Sequence, residues 1–94
     1  MADKKILIID DENYIRLLLR RTLEDFEYEG VEVLTAEDGV EGLEAIQAHR
    51  PDLVFLDLMM PRMSGDEVCR HVRQDGELAG VHIIVLTAKG PSER

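Results

Sequence analysis

The chain contains a single cysteine, Cys69, and can form no internal disulfide. Nothing in it points to an oxidising compartment, so a cytosolic, cytoplasmic location is expected. Long apolar runs are also missing: stretches such as Ile6 to Ile9 and Ile83 to Leu86 last only a few residues, far short of the roughly 20 needed to cross a bilayer. No membrane association is expected. The opening residues Met1-Ala2-Asp3-Lys4-Lys5 bring no apolar segment of signal-peptide length and no small-residue cleavage site, which leaves secretion unsupported. Basic residues are the minority, with 11 Lys and Arg against 20 Asp and Glu and a formal charge of −9. Such a balance repels phosphate backbones and anionic headgroups, so no nucleic acid is expected to bind through this chain. With 94 residues there is no material for two cores, and one domain over residues 1–94 is expected. An apolar share of 45% beside 33% charged residues belongs to a folded globular chain and not to a disordered one.

What is present is an alternation. Ile6 to Ile9 is a short β-branched apolar run that ends in Asp10-Asp11, the pattern of a strand buried on both faces with polar residues at its carboxyl end. From Glu12 to Phe26, Ile15, Leu18, Leu19, Leu23 and Phe26 recur at helical spacing, with Arg16, Arg20, Arg21 and Glu24 on the other face. Val31 to Thr35 suits a second strand, Glu37-Asp38-Gly39 has turn chemistry, and Val40, Leu43 and Ile46 mark a second helix ending near His49-Arg50. Leu53 to Leu56 repeats the design of the first strand and ends in Asp57. Ser64-Gly65-Asp66-Glu67 fits a capping box opening a third helix that carries Val68 and Val72. Val81 to Leu86 is a fourth strand, ending in Thr87. Strands separated by amphipathic helices imply right-handed crossovers and a parallel sheet, so the fold class is α/β. After Thr87 the pattern stops. The first helix is then expected to lack a neighbour on its own face, and the fourth strand to be an exposed apolar edge.

In an open parallel sheet, functional groups collect outside the carboxyl ends of the strands, near the point where strand order reverses. Those ends read Asp10-Asp11, Asp57 and Thr87. An acid after a strand often serves only as a helix N-cap, but three carboxylates brought together repel one another more strongly as the site is desolvated. A hard divalent cation relieves this, and Mg²⁺, which takes one or two carboxylates and keeps room for a phosphate oxygen, is the expected ion. His49, His71 and His82 show no metal-ligand spacing with one another or with Cys69, and are expected at the surface. Arg62, Arg70 and Arg73 read as solvated, and Met59, Met60 and Met63 as packing beside the site.

Four blocks in order, Ile8-Ile9-Asp10-Asp11-Glu12, Ala36-Glu37-Asp38-Gly39, the stretch from Pro51 to Gly65 that contains Asp57-Leu58-Met59-Met60-Pro61, and Ile84-Val85-Leu86-Thr87-Ala88, resemble the receiver (phosphoacceptor) domain of two-component response regulators. The resemblance covers essentially the whole chain. It implies a flavodoxin-like, doubly wound parallel sheet and a signalling module, not an enzyme beyond self-catalysed phosphotransfer and dephosphorylation. It makes Asp57 the phosphoryl acceptor, supplied by a histidine kinase or phosphotransfer protein. Asp10, Asp11 and Asp57 would hold Mg²⁺ together with the main-chain carbonyl of Met59, and Thr87 would be the switch hydroxyl. A carboxylate can attack phosphorus without a general base, which suits Asp57 to that role.

The family has five βα units, and this sequence supplies four strands, so the expectation is a receiver fold truncated after strand four. The lysine and the aromatic residue that the family carries on its fifth strand have no counterpart; Lys89, two residues after Thr87, is a candidate substitute. The alternative reading is therefore a phosphorylation-impaired scaffold that acts through partner binding or as a homodimer, with the strand-four edge or the helix-one face covered by a second copy. Phosphatases of the haloacid-dehalogenase type place a second acid two residues after the nucleophile, where this chain has Met59. A dinucleotide- or flavin-binding protein would need a glycine-rich loop after strand one, where Asp10-Asp11-Glu12 would repel a pyrophosphate.

Overall fold

A computed structural model of the chain describes residues 4–24 and 30–86. Four strands, β1 (Lys4–Ile9), β2 (Val31–Ala36), β3 (Leu53–Asp57) and β4 (His82–Leu86), alternate with helices α1 (Asn13–Leu23), α2 (Gly39–His49) and α3 (Gly65–Gln74), and a 3₁₀ turn at Gly76–Leu78 precedes β4. The sheet is parallel throughout, in the order β2-β1-β3-β4. Ile9 pairs with Ala36 on one side and Leu56 on the other, so the direction of winding reverses at β1. The crevice beyond the carboxyl ends of β1 and β3 is therefore where this architecture concentrates chemistry.

Alternate residues of the central strands build the core. Leu7, Ile9, Val54 and Leu56 join Leu43 and Ile46 of α2 and Val68 and Val72 of α3 in one buried cluster, closed at its end by Leu78 and Val81. At about 25 cal/mol per Å² of apolar surface removed from water, these side chains supply the main force holding α2 and α3 to the sheet. The capping box read from Ser64-Gly65-Asp66-Glu67 is present, with Glu67 N–H donating to Ser64 Oγ and Ser64 N–H donating to Glu67 Oε1. Asp38, read as part of a turn, is the N-cap of α2 and accepts from Glu41 N–H at 2.8 Å, which makes Gly39 the first helical residue.

The first helix departs from its expected span of Glu12 to Phe26. Glu12 is extended (φ −96°, ψ 118°), and its N–H is taken by Asp10 Oδ1 at 2.8 Å, so the helix begins one residue later. At the other end Glu24 is the C-cap, its N–H bonded to the Arg21 carbonyl, and Phe26 lies outside the described residues. Of the expected apolar face, Ile15, Leu19 and Leu23 are half-buried, whereas Leu18 is 55% exposed; Leu17, outside that face, is 49% exposed. No described helix lies beside α1 on its face of the sheet to cover that flank. The fourth strand is the edge foreseen for it, with Ile84 and Val85 exposed. The first strand starts earlier than its apolar run, at Lys4, and only Leu7, Ile8 and Ile9 are fully buried. No helix among the described residues is long and apolar enough to cross a membrane.

Candidate functional site

The two central strands end in acids because the strands stop there. β1 delivers Asp10 and Asp11, β3 delivers Asp57, and carboxylate oxygens of all three lie within 4.8 Å of one another. Asp10 and Asp57 are each 1% exposed, while Asp11 faces solvent. Two desolvated carboxylates and one exposed carboxylate at this separation form a concentrated negative site with an open side.

Local hydrogen bonds fix each acid. The Asp10 N–H donates to the Ala36 carbonyl at 3.2 Å, which carries the parallel ladder one step past β1. Its Oδ1 accepts from Glu12 N–H, and its carbonyl accepts from Arg16 Nη1 at 2.5 Å. The same guanidinium donates through Nη2 to Asn13 Oδ1 at 3.1 Å, so Arg16 ties the first turn of α1 to the end of β1. Asp57 Oδ1 accepts from Met59 N–H at 3.2 Å, which folds the chain back over the carboxylate immediately after β3. Gly65 N–H donates to the Leu58 carbonyl at 3.0 Å, bringing the start of α3 against the same strand end.

The expected site residues are thus brought together in part. Asp10, Asp11 and Asp57 converge, and the Met59 peptide lies beside Asp57 while its side chain is 64% exposed in solvent. Met60 and Met63 pack against the core, whereas Met59, read with them as packing beside the site, turns its side chain to solvent. Thr87 follows Leu86, which is paired in register with Asp57, but Thr87 and Lys89 lie outside the described residues. His49, His71 and His82 are exposed, and the metal-ligand group found among the described residues does not include them. Arg62 is exposed, as read, and also makes an ion pair: its Nη1 lies 3.2 Å from Asp38 Oδ2. Arg73 likewise reaches the Val81 carbonyl through Nη1 at 3.3 Å. Arg16 was not legible as a site-bordering residue, an Arg three residues after an Asn on a helix being a weak signal; for Arg62 the sequence leaves a phosphate-facing role open, but its partner Asp38, 24 residues away, was not legible.

The donor set suits a small hard cation. Octahedral Mg²⁺ holds oxygens at about 2.1 Å, so neighbouring ligands sit about 3 Å apart and opposite ones about 4.2 Å, a spread the three carboxylates nearly meet as they stand. A cavity lined by Asn13, Arg16, Leu17, Arg20 and Thr35 flanks α1 and includes none of the three acids.

Comparison with known proteins agrees with this geometry. The family model described as "Response regulator receiver domain" matches residues 6–94. The chain is 47% identical over 85 residues to the response regulator MprA of Mycobacterium sp. (strain KMS), covering 90% of this chain and 35% of the relative's length. It therefore spans about a third of that curated relative. Among solved structures, it resembles the N-terminal domain of a response regulator receiver protein from Methanoculleus marisnigri JR1 with a TM-score of 0.81 and 35% identity, over 97% of this chain and 72% of that one. It also resembles the response regulator protein TrrA from Thermotoga maritima, solved in complex with Mg²⁺-BeF, with a TM-score of 0.75 and 44% identity over 90% of this chain and 70% of that one. With a parallel α/β sheet, an acidic cluster at its switch point and a family model matching nearly its full length, the chain belongs to the response regulator receiver domain family.

Proposed function

We propose that this chain is a phosphoacceptor signalling module in which Asp57 receives a phosphoryl group from a histidine kinase or phosphotransfer protein. The observation that carries the reading is the convergence of Asp10, Asp11 and Asp57 within 4.8 Å, two of them buried, at the switch point of the sheet. Asp10, Asp11, Asp57 and the Met59 carbonyl would hold Mg²⁺, a reading supported by the Mg²⁺-BeF complex of the Thermotoga relative. Bound there, the ion offsets the charge of the carboxylates and of the phosphoryl oxygens that approach them.

The chain's own residues do the rest. A carboxylate oxygen of Asp57 forms a bond to phosphorus as the bond from phosphorus to the donor's nitrogen or oxygen breaks, and the electron pair leaves with the donor. A carboxylate nucleophile needs no general base for this attack. The Met59 N–H on Oδ1 orients the carboxylate before attack, and Arg16 holds the Asp10 backbone so that its carboxylate stays beside Asp57. Thr87, which follows Leu86 in sequence and carries the only hydroxyl among the strand-end residues read above, serves as the switch hydroxyl. The acidic balance of −9 suits a partner protein and not nucleic acid, and with the single cysteine it suits the cytoplasm.

A second reading, in which copies of the chain pair, is favoured by the exposed apolar edge of β4 at Ile84 and Val85 and by Tyr14, Leu17 and Leu18 on α1. Intact mass after incubation with Mg²⁺ and a small-molecule phosphodonor separates the two. One phosphoryl adduct, lost in Asp57→Ala, supports the acceptor; no adduct from a folded chain that binds Mg²⁺, with a dimer by light scattering, supports the scaffold.

A further inference from the structure

The segment between β3 and α3 is tied at two ends, and only the near tie belongs to the acidic cluster. At the near end Met59 N–H meets Asp57 Oδ1. At the far end Met63 N–H donates to the Pro61 carbonyl at 2.8 Å across Arg62, whose φ is 71°. That is a γ-turn with a positive central φ, a rare and strained form, here at a residue that carries a long side chain. Strain of this kind persists only where the surroundings hold it, and two contacts with the start of α2 do so. The Arg62 guanidinium pairs with Asp38 Oδ2 at 3.2 Å, and the Met63 carbonyl lies against Gly39, where any Cβ would overlap it. Asp38 is itself pre-set, because its Oδ1 accepts from Glu41 N–H as the N-cap of α2 and its side chain is only 14% exposed.

We propose that Arg62 and Asp38 are positioning residues for the metal seat. Their ion pair latches the strained turn to α2 and so holds the Met59 backbone beside Asp57. This rests on the reading of Asp57 as acceptor with Met59 among the ligands. The pair touches neither metal nor phosphoryl group; it shortens the excursions of the segment between its two anchors. With the Arg62 side chain 62% exposed, the pair adds little to global stability, so its effect falls on the geometry of the segment.

The test is calorimetric Mg²⁺ titration of the full chain, with amide hydrogen exchange of residues 59–63 in metal-free buffer and unfolding midpoints alongside. Arg62→Ala is expected to weaken Mg²⁺ binding roughly threefold to tenfold, less than the 10–100-fold typical of groups bonded directly to a ligand. It also speeds exchange across the segment with little change in midpoint. Asp38→Asn, which retains the cap oxygen, matches it. Arg62→Lys restores most of the affinity, and the double variant Arg62→Ala/Asp38→Asn is no weaker than either single one. Affinities within twofold of the parent, or losses that add in the double variant, overturn the latch. A parent chain that binds no Mg²⁺, or an adduct that survives in Asp57→Ala, instead overturns the acceptor reading and the latch with it.

Discussion

Gly65 and Asp57 are in backbone contact across the turn from β3 to α3: a Cβ on Gly65 would sit 2.5 Å from the Asp57 carbonyl oxygen and 2.8 Å from the Leu58 Cα. The neighbours are main chain at and just beyond the end of the central strand β3, so they cannot swing aside as a flexible side chain would. Gly65→Ala therefore forces the first turn of α3 outward and strains the Gly65 N–H bond to the Leu58 carbonyl. A loss of about 1–3 kcal/mol is expected, as for other overpacked sites. Urea unfolding checks it; a midpoint equal to the parent's would mean that α3 slides along the core at no cost.

Cys69 provides a pH-dependent term away from the acidic cluster. Burial pushes its thiol above the ordinary value of 9.0; Arg73 opposes the shift and Asp66 adds to it. The thiolate is thus disfavoured in the folded state. The corresponding contribution to stability is fully present below the unfolded thiol's value and is lost as pH rises through the folded one. Relative to Cys69→Ala, the parent chain should lose stability between pH 8.5 and the alkaline limit of folding, and show a constant difference from pH 6 to 8. Paired urea titrations at these pH values measure it, and a parent that gains stability relative to Cys69→Ala as pH rises contradicts the burial of the thiol.

Much of this structure is legible in the residue order, and the illegible parts have a common cause. The apolar runs ending at Asp10 and Asp57 locate β1 and β3, and the Ser64 to Glu67 spacing locates the start of α3, because strand burial and capping are set by neighbours in sequence. The start of α1 shifts because the Asp10 carboxylate takes the Glu12 N–H, a competition that spacing alone does not rank. Leu18 reads as core from helical periodicity, yet its burial depends on what lies beside α1. Arg62 reads as a solvated charge because its partner, Asp38, arrives only when α2 and the turn after β3 are brought together by the sheet. Contacts between distant segments are what periodicity omits.

The acidic cluster makes Mg²⁺ affinity sensitive to salt. Three carboxylates with one open to solvent attract the cation through charge, aided by a chain of net charge −9. Screening shortens the range of that attraction from about 30 Å at 0.01 M ionic strength to about 8 Å at 0.15 M. The Mg²⁺ dissociation constant should rise steadily when KCl is increased over this range in calorimetric titrations. An affinity indifferent to KCl would place the ion away from Asp10, Asp11 and Asp57.

The same repulsion predicts that metal-free folding improves when one acid is neutralised. Asp57→Asn keeps an oxygen to accept the Met59 N–H and removes one charge from a group whose oxygens lie within 4.8 Å, two of the three residues being 1% exposed. At an effective dielectric of 20, two unit charges 4.8 Å apart repel by about 3.5 kcal/mol; local hydrogen bonds and relaxation offset part of this, so a gain of about 1–3 kcal/mol in EDTA is expected. Saturating Mg²⁺ reverses the order, since binding stabilises the folded parent in proportion to its affinity and the variant has lost a ligand. Urea midpoints of both proteins, with EDTA and with Mg²⁺, give the four values. A parent more stable than the variant in EDTA would mean that the buried carboxylates are compensated from within the fold, and that Mg²⁺ does not act by relieving their repulsion.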